Sequence, residues 1–241
     1  AVSSITKDGM DELKEAIIKL LLKCKLNNSE KPFLYIDRVF TLRGIGLTVT
    51  GTLRNGKISV GDALTLYPGN VDARVKSIQN HHQSVESLIA PARTALNLKF
   101  PEKVEVAKGM LLSNNQDEPI LEGSELLIRI DEVFGAGKGE GVKNHSELEI
   151  ALGSTHAIGS IHINSYDTSL ARLSLKTPVA CAWNQKAVLI RHGGSDIIAS
   201  CRVLSSFASY NRIAFRDAFT AYNGRELPSW QSYLFNLHGY A

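Results

Sequence analysis

Ile36-Asp37-Arg38-Val39-Phe40-Thr41-Leu42-Arg43-Gly44-Ile45-Gly46-Leu47-Thr48-Val49-Thr50-Gly51-Thr52-Leu53 is the stretch on which the fold turns. Thr48, Thr50 and Thr52 alternate with Val49 and Leu53, which suits a half-buried strand. Upstream, Phe33–Phe40 is rich in aromatic and aliphatic residues and reads as a second strand. Asn55-Gly56 follows, a strong short-range hairpin signal because both turn positions favour φ > 0.

Outward from this centre the β pattern continues. Ala63–Tyr67, a Pro68-Gly69-Asn70 turn, Val71–Gln79, Thr94–Phe100 and Gly109–Leu112 make a run of short strands, spaced as in a barrel or sandwich. The polar stretch Ser113–Pro119 reads as a linker. A second β series comprises Ser124–Phe134, Ser146–Leu152, Thr155–Ile163, Leu170–Leu175, Ala187–Arg191 and Ile197–Leu204. Before all this, Leu13, Ile17, Leu20 and Leu21 recur at helical spacing. Asp8 is the expected N-cap, Asp11 and Glu12 suit the positive end of the helix dipole, and Asn27-Asn28-Ser29 stops the helix. In the tail, Phe215, Phe219 and Tyr222 share one helical face, and Pro228 opens a short helix carrying Trp230, Leu234 and Leu237, ended by Gly239. So aromatic a tail packs on the body or belongs to a larger partner domain. The expected fold is mainly β: two tandem barrels with an N-terminal helix and a short helical C-terminal fringe. The expected divisions are residues 1–31, 32–115, 116–205 and 206–241.

The 241 residues are 44% hydrophobic and 21% charged, with 19 Gly and 7 Pro, which excludes disorder and collagen-like repetition. The longest apolar run, Ile17 to Leu22, is broken by Lys19, so neither a membrane span nor a signal peptide is expected. Cys24, Cys181 and Cys201 are odd in number and scattered, and read as reduced thiols of a cytosolic protein. Residues 32–115 carry 10 basic and 6 acidic side chains, residues 116–204 carry 8 and 11. The first barrel is therefore the better surface for a polyanion, although an ordinary solvated face is the plain alternative.

Enzyme signatures are absent. Gly135-Ala136-Gly137-Lys138-Gly139-Glu140-Gly141 lacks the spacing of a phosphate loop and has Gly139 where a Mg²⁺-binding hydroxyl belongs, so it reads as a hairpin loop. Gly44 and Gly46 begin a G-x-G, but Val49 stands where the third glycine of a dinucleotide fingerprint is required. No nucleophile elbow occurs. His81 and His82, adjacent on a strand, would point to opposite faces. His156 and His162 share a face but lack a third ligand, so no metal site is expected.

The central stretch, followed by Asn55-Gly56 and Val60-Gly61-Asp62, resembles the second domain of translational GTPases, the elongation factor Tu superfamily. There a strand, a Gly-x-Gly turn, a TVVTG strand, a Gly-ended hairpin and VGD follow one another without gaps. The resemblance implies that Gly44 and Gly46 supply the turn and that Gly51 allows close backbone approach, with Gly56, Gly61 and Asp62 completing the barrel motif. More narrowly, Ile36-Asp37-Arg38 together with Arg93-Thr94-Ala95-Leu96-Asn97-Leu98 is similar to the selenocysteine-specific, or SelB, type. The likeness spans roughly Ala1 to Leu204 and is softer in the second barrel, where Thr177-Pro178-Val179 and the ending Arg202-Val203-Leu204 carry it. Val2-Ser3-Ser4 and Gly9-Met10-Asp11-Glu12-Leu13 resemble the last guanine-contact motif and final helix of a GTPase domain, with Ser4 in place of the usual alanine. Pro91, where a glycine is usual, and Lys99-Phe100, where a small residue often sits, depart from the pattern.

The resemblance implies a piece of a longer, cytoplasmic protein that delivers selenocysteinyl-tRNA to the ribosome. Its partners would include its own GTPase domain and, through a later domain, the selenocysteine-insertion messenger hairpin. GTP and Mg would serve the full-length protein, with no cofactor, metal or catalytic residue in this part, which is not expected to be an enzyme by itself. Asp37, Arg38 and Arg93 would form the selenocysteinyl pocket, with two half-buried arginines, and Ser3 and Ser4 would be a remnant of the nucleotide contact. The plain alternative is that Asp37 and Arg38 form an exposed ion pair. Other readings are domains two and three of another translational GTPase, a non-translational two-barrel binding protein and, least supported, a barrel enzyme.

Overall fold

In a computed structural model, described here over residues 1–23, 31–44, 46–114, 120–134, 141–194 and 196–222, alternating apolar residues close into two antiparallel barrels. The first contains β1 (Phe33–Leu42), β2 (Gly46–Asn55), β4 (Ala63–Tyr67), β5 (Val71–Asn80), β8 (Ala92–Lys99) and β9 (Leu111–Ser113). Their order is β4-β9-β1-β2-β8-β5, and β5 pairs back onto β4 to close the ring. Three short strands accompany it: β3 (Lys57–Ser59), β6 (Gln83–Val85) and β7 (Ser87–Ile89). The second barrel is β10 (Leu121–Val133), β13 (Leu170–Cys181), β12 (Thr155–Ile163), β11 (Glu147–Leu152), β14 (Gln185–Arg191) and β15 (Ile197–Phe207), in that closed order.

Each barrel has its own apolar centre, one around Leu34, Ile36, Val49 and Leu96, the other around Leu126, Ile150, Leu173 and Leu189. In the first, β2 crowds β1. A Cβ at Gly51 would overlap the Tyr35 carbonyl oxygen and lie 2.7 Å from Leu34 Cδ2, so only glycine permits this approach.

Between the barrels, Phe33, Tyr35, Leu111 and Ala180 form a third buried cluster. The Tyr35 hydroxyl lies 2.9 Å from the Ala180 carbonyl and 3.0 Å from Gln185 Oε1. Burial raises its pKa well above the ordinary phenol value, so it remains a donor. Gly153, at φ +63°, brings its backbone against the Tyr35 ring, where a Cβ would overlap the ring edge. Ser154 and Thr155 donate their hydroxyls to the Ile36 and Gly109 carbonyls at 2.9 and 2.6 Å.

The leading helix α1 (Met10–Lys23) buries none of its residues, leaving Leu13, Ile17, Leu20 and Leu21 exposed. It starts one residue later than expected: the Gly9 carbonyl accepts from Leu13 N, while the Asp8 carboxylate takes the Thr6 hydroxyl. At the other end, α2 (Arg212–Tyr222) packs Phe215 and Tyr222 against the second barrel, with Phe215 4.5 Å from the Phe207 ring. The expected helix stop at Asn27–Ser29, most of the linker stretch (115–119), the glycine-rich loop (135–140) and the Pro228 helix lie outside the described residues.

The Asn55-Gly56 pair does not make the expected hairpin. Gly56 has φ +69°, but β3 leaves β2 and pairs with β7 instead, and the Gly56 carbonyl accepts from Ala90 N. The chain thus turns a corner between sheets. His81 and His82 are not on a strand. They form the turn between β5 and β6, with φ of 49° and 66°.

Candidate functional site

The site begins with a register error in β1. Ile36 pairs with Gly51 and Arg38 with Thr50, so Asp37 is an extra residue, a β-bulge. Alternation from the buried Ile36 would otherwise turn Arg38 inward. The bulge resets the phase and puts Arg38 on the outer face, where it is exposed. Across the sheet the register continues as Arg38, Thr50, Ala95 and Gln79 on β1, β2, β8 and β5. Arg93, two residues before Ala95, stands on the same face opposite Thr52.

Arg38 and Arg93 therefore stand on one face, diagonally across β2, with Ala95 level with Arg38 and Thr52 level with Arg93. Two strand spacings of ~4.8 Å and a two-residue offset of ~6.8 Å put their backbones roughly 12 Å apart. They line one open cleft of about 350 Å³ together with Phe40, Thr50, Gln79, His81 and His82. The far wall is tied down. Asn80 donates its side-chain amide to the Arg93 carbonyl at 2.6 Å, and the Thr94 hydroxyl donates to the Gln79 carbonyl at 3.1 Å.

Asp37 lies 3.6 Å from Arg93, whose side chain is 67% exposed. The ion pair joins Asp37 to Arg93 and not to its neighbour Arg38, which is the pair the plain alternative would have made. The guanidinium of Arg93 is exposed rather than half-buried, so the pair itself contributes at most ~0–1 kcal/mol. Two arginines against one carboxylate leave the cleft positive and suited to a small anion. Sequence reasoning missed Phe40, Thr50, Gln79, His81 and His82. The histidine pair carries a signal, but with no glycine to mark the turn its sequence reads as strand.

The other singled-out residues sit as follows. Gly44 and Gly46 have φ of 80° and 101° in the β1–β2 turn, and Gly61 has φ of 92°. The Asp62 carboxylate accepts from Ser59 N at 2.8 Å, which ties the turn into β4. Ser3 Oγ accepts from Thr6 N at 3.1 Å, and Ser4 is exposed. His162 pairs not with His156 but with His145, their Nδ1 atoms 3.0 Å apart. Among the described residues no group of three or more His, Cys, Asp or Glu is placed to hold a metal, and no helix is long and apolar enough to cross a membrane. Cys181 and Cys201 are buried, and burial pushes the Cys201 thiol up to about 12.

No protein-family model matches the chain. It is similar to the selenocysteine-specific elongation factor of Haemophilus influenzae, 29% identical over 204 residues, covering 84% of this chain and 32% of that protein. The factor of the same name from Escherichia coli is 30% identical over 199 residues, covering 81% and 30%. The chain thus spans about a third of the length of these curated relatives. Among solved structures, a bacterial selenocysteine-specific elongation factor (EF-Sec) superposes with a TM-score of 0.74 at 24% identity, covering 98% of this chain and 38% of that one. Apo SelB from Methanococcus maripaludis gives 0.66 at 20% identity, covering 86% and 50%. At these identities the structural likeness speaks for the fold, and the sequence relatives carry the homology. The chain is homologous to about a third of the length of these selenocysteine-specific elongation factors.

Proposed function

We propose that this chain is the part of a cytoplasmic translational GTPase that holds the amino-acid end and acceptor arm of selenocysteinyl-tRNA. Asp37, Arg38 and Arg93 form the selenocysteinyl pocket on the first barrel, and the second barrel braces the RNA. Residues 1–31 close a GTPase domain, 32–115 and 116–205 are the two barrels, and 206–241 lead onward. The open apolar face of α1 belongs against that GTPase domain. GTP and Mg act there, so this chain alone is not an enzyme. The ribosome receives the loaded factor, and a later domain reads the messenger hairpin.

The observation that carries this reading is the convergence of Arg38 and Arg93 on one cleft. A selenol is acidic enough to be a selenolate at neutral pH. Serine is neutral, and cysteine, with a pKa near ~8.5, is mostly protonated. Permanent guanidinium charges therefore favour selenocysteine by charge rather than by size. Shape discriminates little, since Ser, Cys and Sec differ by one atom. Asp37 orients Arg93 and is placed to meet an α-amino group.

The test is Arg93→Ala in the full-length factor. Binding of selenocysteinyl-tRNA weakens by about 1–3 kcal/mol, the scale of a charge-assisted contact, while seryl-tRNA changes much less. Equal loss for both would assign Arg93 to the RNA backbone or the fold and defeat the reading.

A further inference from the structure

On the far side of the second barrel, the end of β12, the turn after it and α2 enclose a cleft of about 530 Å³. Its charged lining is Arg172, Arg212 and Arg216, and no carboxylate lines it. Its walls are aromatic. Tyr166 is 99% exposed and Tyr210 54% exposed, a costly way to spend ring surface in a folded chain unless something covers it.

The two aromatic walls are built differently. Arg172 lies over Tyr210, its guanidinium carbon 4.1 Å from the ring centroid. Glu125 pins it there: Oε2 is 3.2 Å from Arg172 Nη1, and Oε1 accepts from the Ser174 hydroxyl at 2.6 Å. The guanidinium is thus a fixed flat shelf. On the same cleft, the backbone under Tyr166 is held by a bond from Tyr166 N to Asn164 Oδ1 at 2.8 Å, while the ring projects into water. Along the rim, Arg216 pairs only with its neighbour Asp217, at 3.0 Å, and Arg212 has no ion-pair partner among the described residues.

We propose that this cleft binds unpaired RNA, with a base stacked between Tyr166 and the Arg172–Tyr210 shelf and phosphates met by Arg212 and Arg216. Flat aromatic and guanidinium faces beside spaced cations are what sequence-tolerant single-strand binding uses. A duplex keeps its bases stacked away from such faces. An acidic peptide would use the arginines but leave the rings without a role. The site is separate from the first-barrel cleft, and the inference does not rest on the selenocysteinyl reading.

The experiment is fluorescence anisotropy of a short labelled oligoadenylate with this chain, against a blunt duplex of the same length. The oligonucleotide carries no amino acid, so the result is independent of Arg38 and Arg93. The single strand binds and the duplex binds much more weakly. Tyr166→Ala weakens binding about tenfold, and Tyr166→Phe restores it, because the ring rather than the hydroxyl stacks. Arg212→Ala weakens binding and lowers the slope of log affinity against log salt by about 0.7, one single-strand phosphate contact. Both side chains are exposed, so circular dichroism of the variants stays unchanged. Equal binding of duplex and single strand, an unchanged affinity in Tyr166→Ala, or equal displacement by polyglutamate each overturns the proposal, the last marking a peptide site.

Discussion

Replacing Tyr35 with Phe removes one oxygen from the contact between the barrels. That hydroxyl faces two acceptors, the Ala180 carbonyl and Gln185 Oε1, 2.9 and 3.0 Å away. Gln185 Oε1 keeps its bond from Ala182 N, at 3.1 Å, so the loss falls mainly on the Ala180 side. Leaving a buried acceptor short of its donor costs ~1–3 kcal/mol. For a chain of this size each kcal/mol lowers the melting temperature by ~2–4 °C, so a drop of roughly 2–12 °C is expected. Tyr35→Ala goes further. It removes the ring that fills the space against Gly153, a loss of ~3–5 kcal/mol by analogy with other buried aromatic truncations. Because each barrel keeps its own apolar centre, that variant uncouples them, and scanning calorimetry shows a separate, earlier transition. A Tyr35→Phe protein that melts with the parent would mean the bonds carry no net stabilisation. A Tyr35→Ala protein with one unshifted transition would refute the coupling altogether.

Gly51→Ala forces a Cβ onto the Tyr35 carbonyl and the Leu34 side chain, and the backbone oxygen cannot swing aside as a side-chain end can. Overpacking of ~1–3 kcal/mol or more is expected, read as a lowered urea midpoint with the first barrel's loss leading; an unchanged midpoint would count against the close approach. Acid should also weaken the fold through His162, whose pKa is held below its ordinary 6.5 by burial, then by Arg172 and His145, against the opposing pull of Glu125. Above that pH both folded and unfolded forms are neutral there and the group is silent. As the pH falls below it the unfolded chain takes up a proton that the folded chain resists, so stability drops until the folded pKa is passed. His162→Gln should flatten the pH dependence of the unfolding midpoint over that window; an unaltered slope would remove His162 from the account.

The barrels were legible because β-branched and aliphatic residues alternate along nearly every long strand, and that pattern has one physical reading. The strands β3, β6 and β7 were not: each has three residues, too few to show a period, and β9, equally short, stands out only through the apolar run Met110-Leu111-Leu112. The Asn55-Gly56 signal misled because glycine permits φ > 0 without saying which strands meet afterwards. The arginine pair was found through likeness to a family. What remained hidden was the bulge at Asp37, which leaves no compositional trace, and the His81-His82 turn, which uses two side chains where glycine or asparagine is usual. Contacts such as Tyr35 with Ala180, 145 residues apart, depend on how two finished barrels meet and have no local signature. The tail's aromatic spacing at Phe215, Phe219 and Tyr222 did foretell α2, because a helix that must bury one face writes that face at a fixed interval.

One strand, β1, ties these observations together. Tyr35 points out of the first barrel and seats against Gly153 of the second. Ile36 turns inward, and its carbonyl receives the Ser154 hydroxyl from across the interface. Asp37 then breaks the alternation, and Arg38 emerges on the outer face beside Arg93. The anchor to the second barrel and the charged cleft thus share four consecutive residues. The pinned backbone fixes where the Arg38 side chain leaves the sheet, while its guanidinium, like that of Arg93, is exposed and screened by water. On this argument the interface that holds the fold also sets the position of the cleft's first arginine. The bulge is the joint between them, since it alone converts the inward phase needed at Ile36 into the outward phase needed at Arg38.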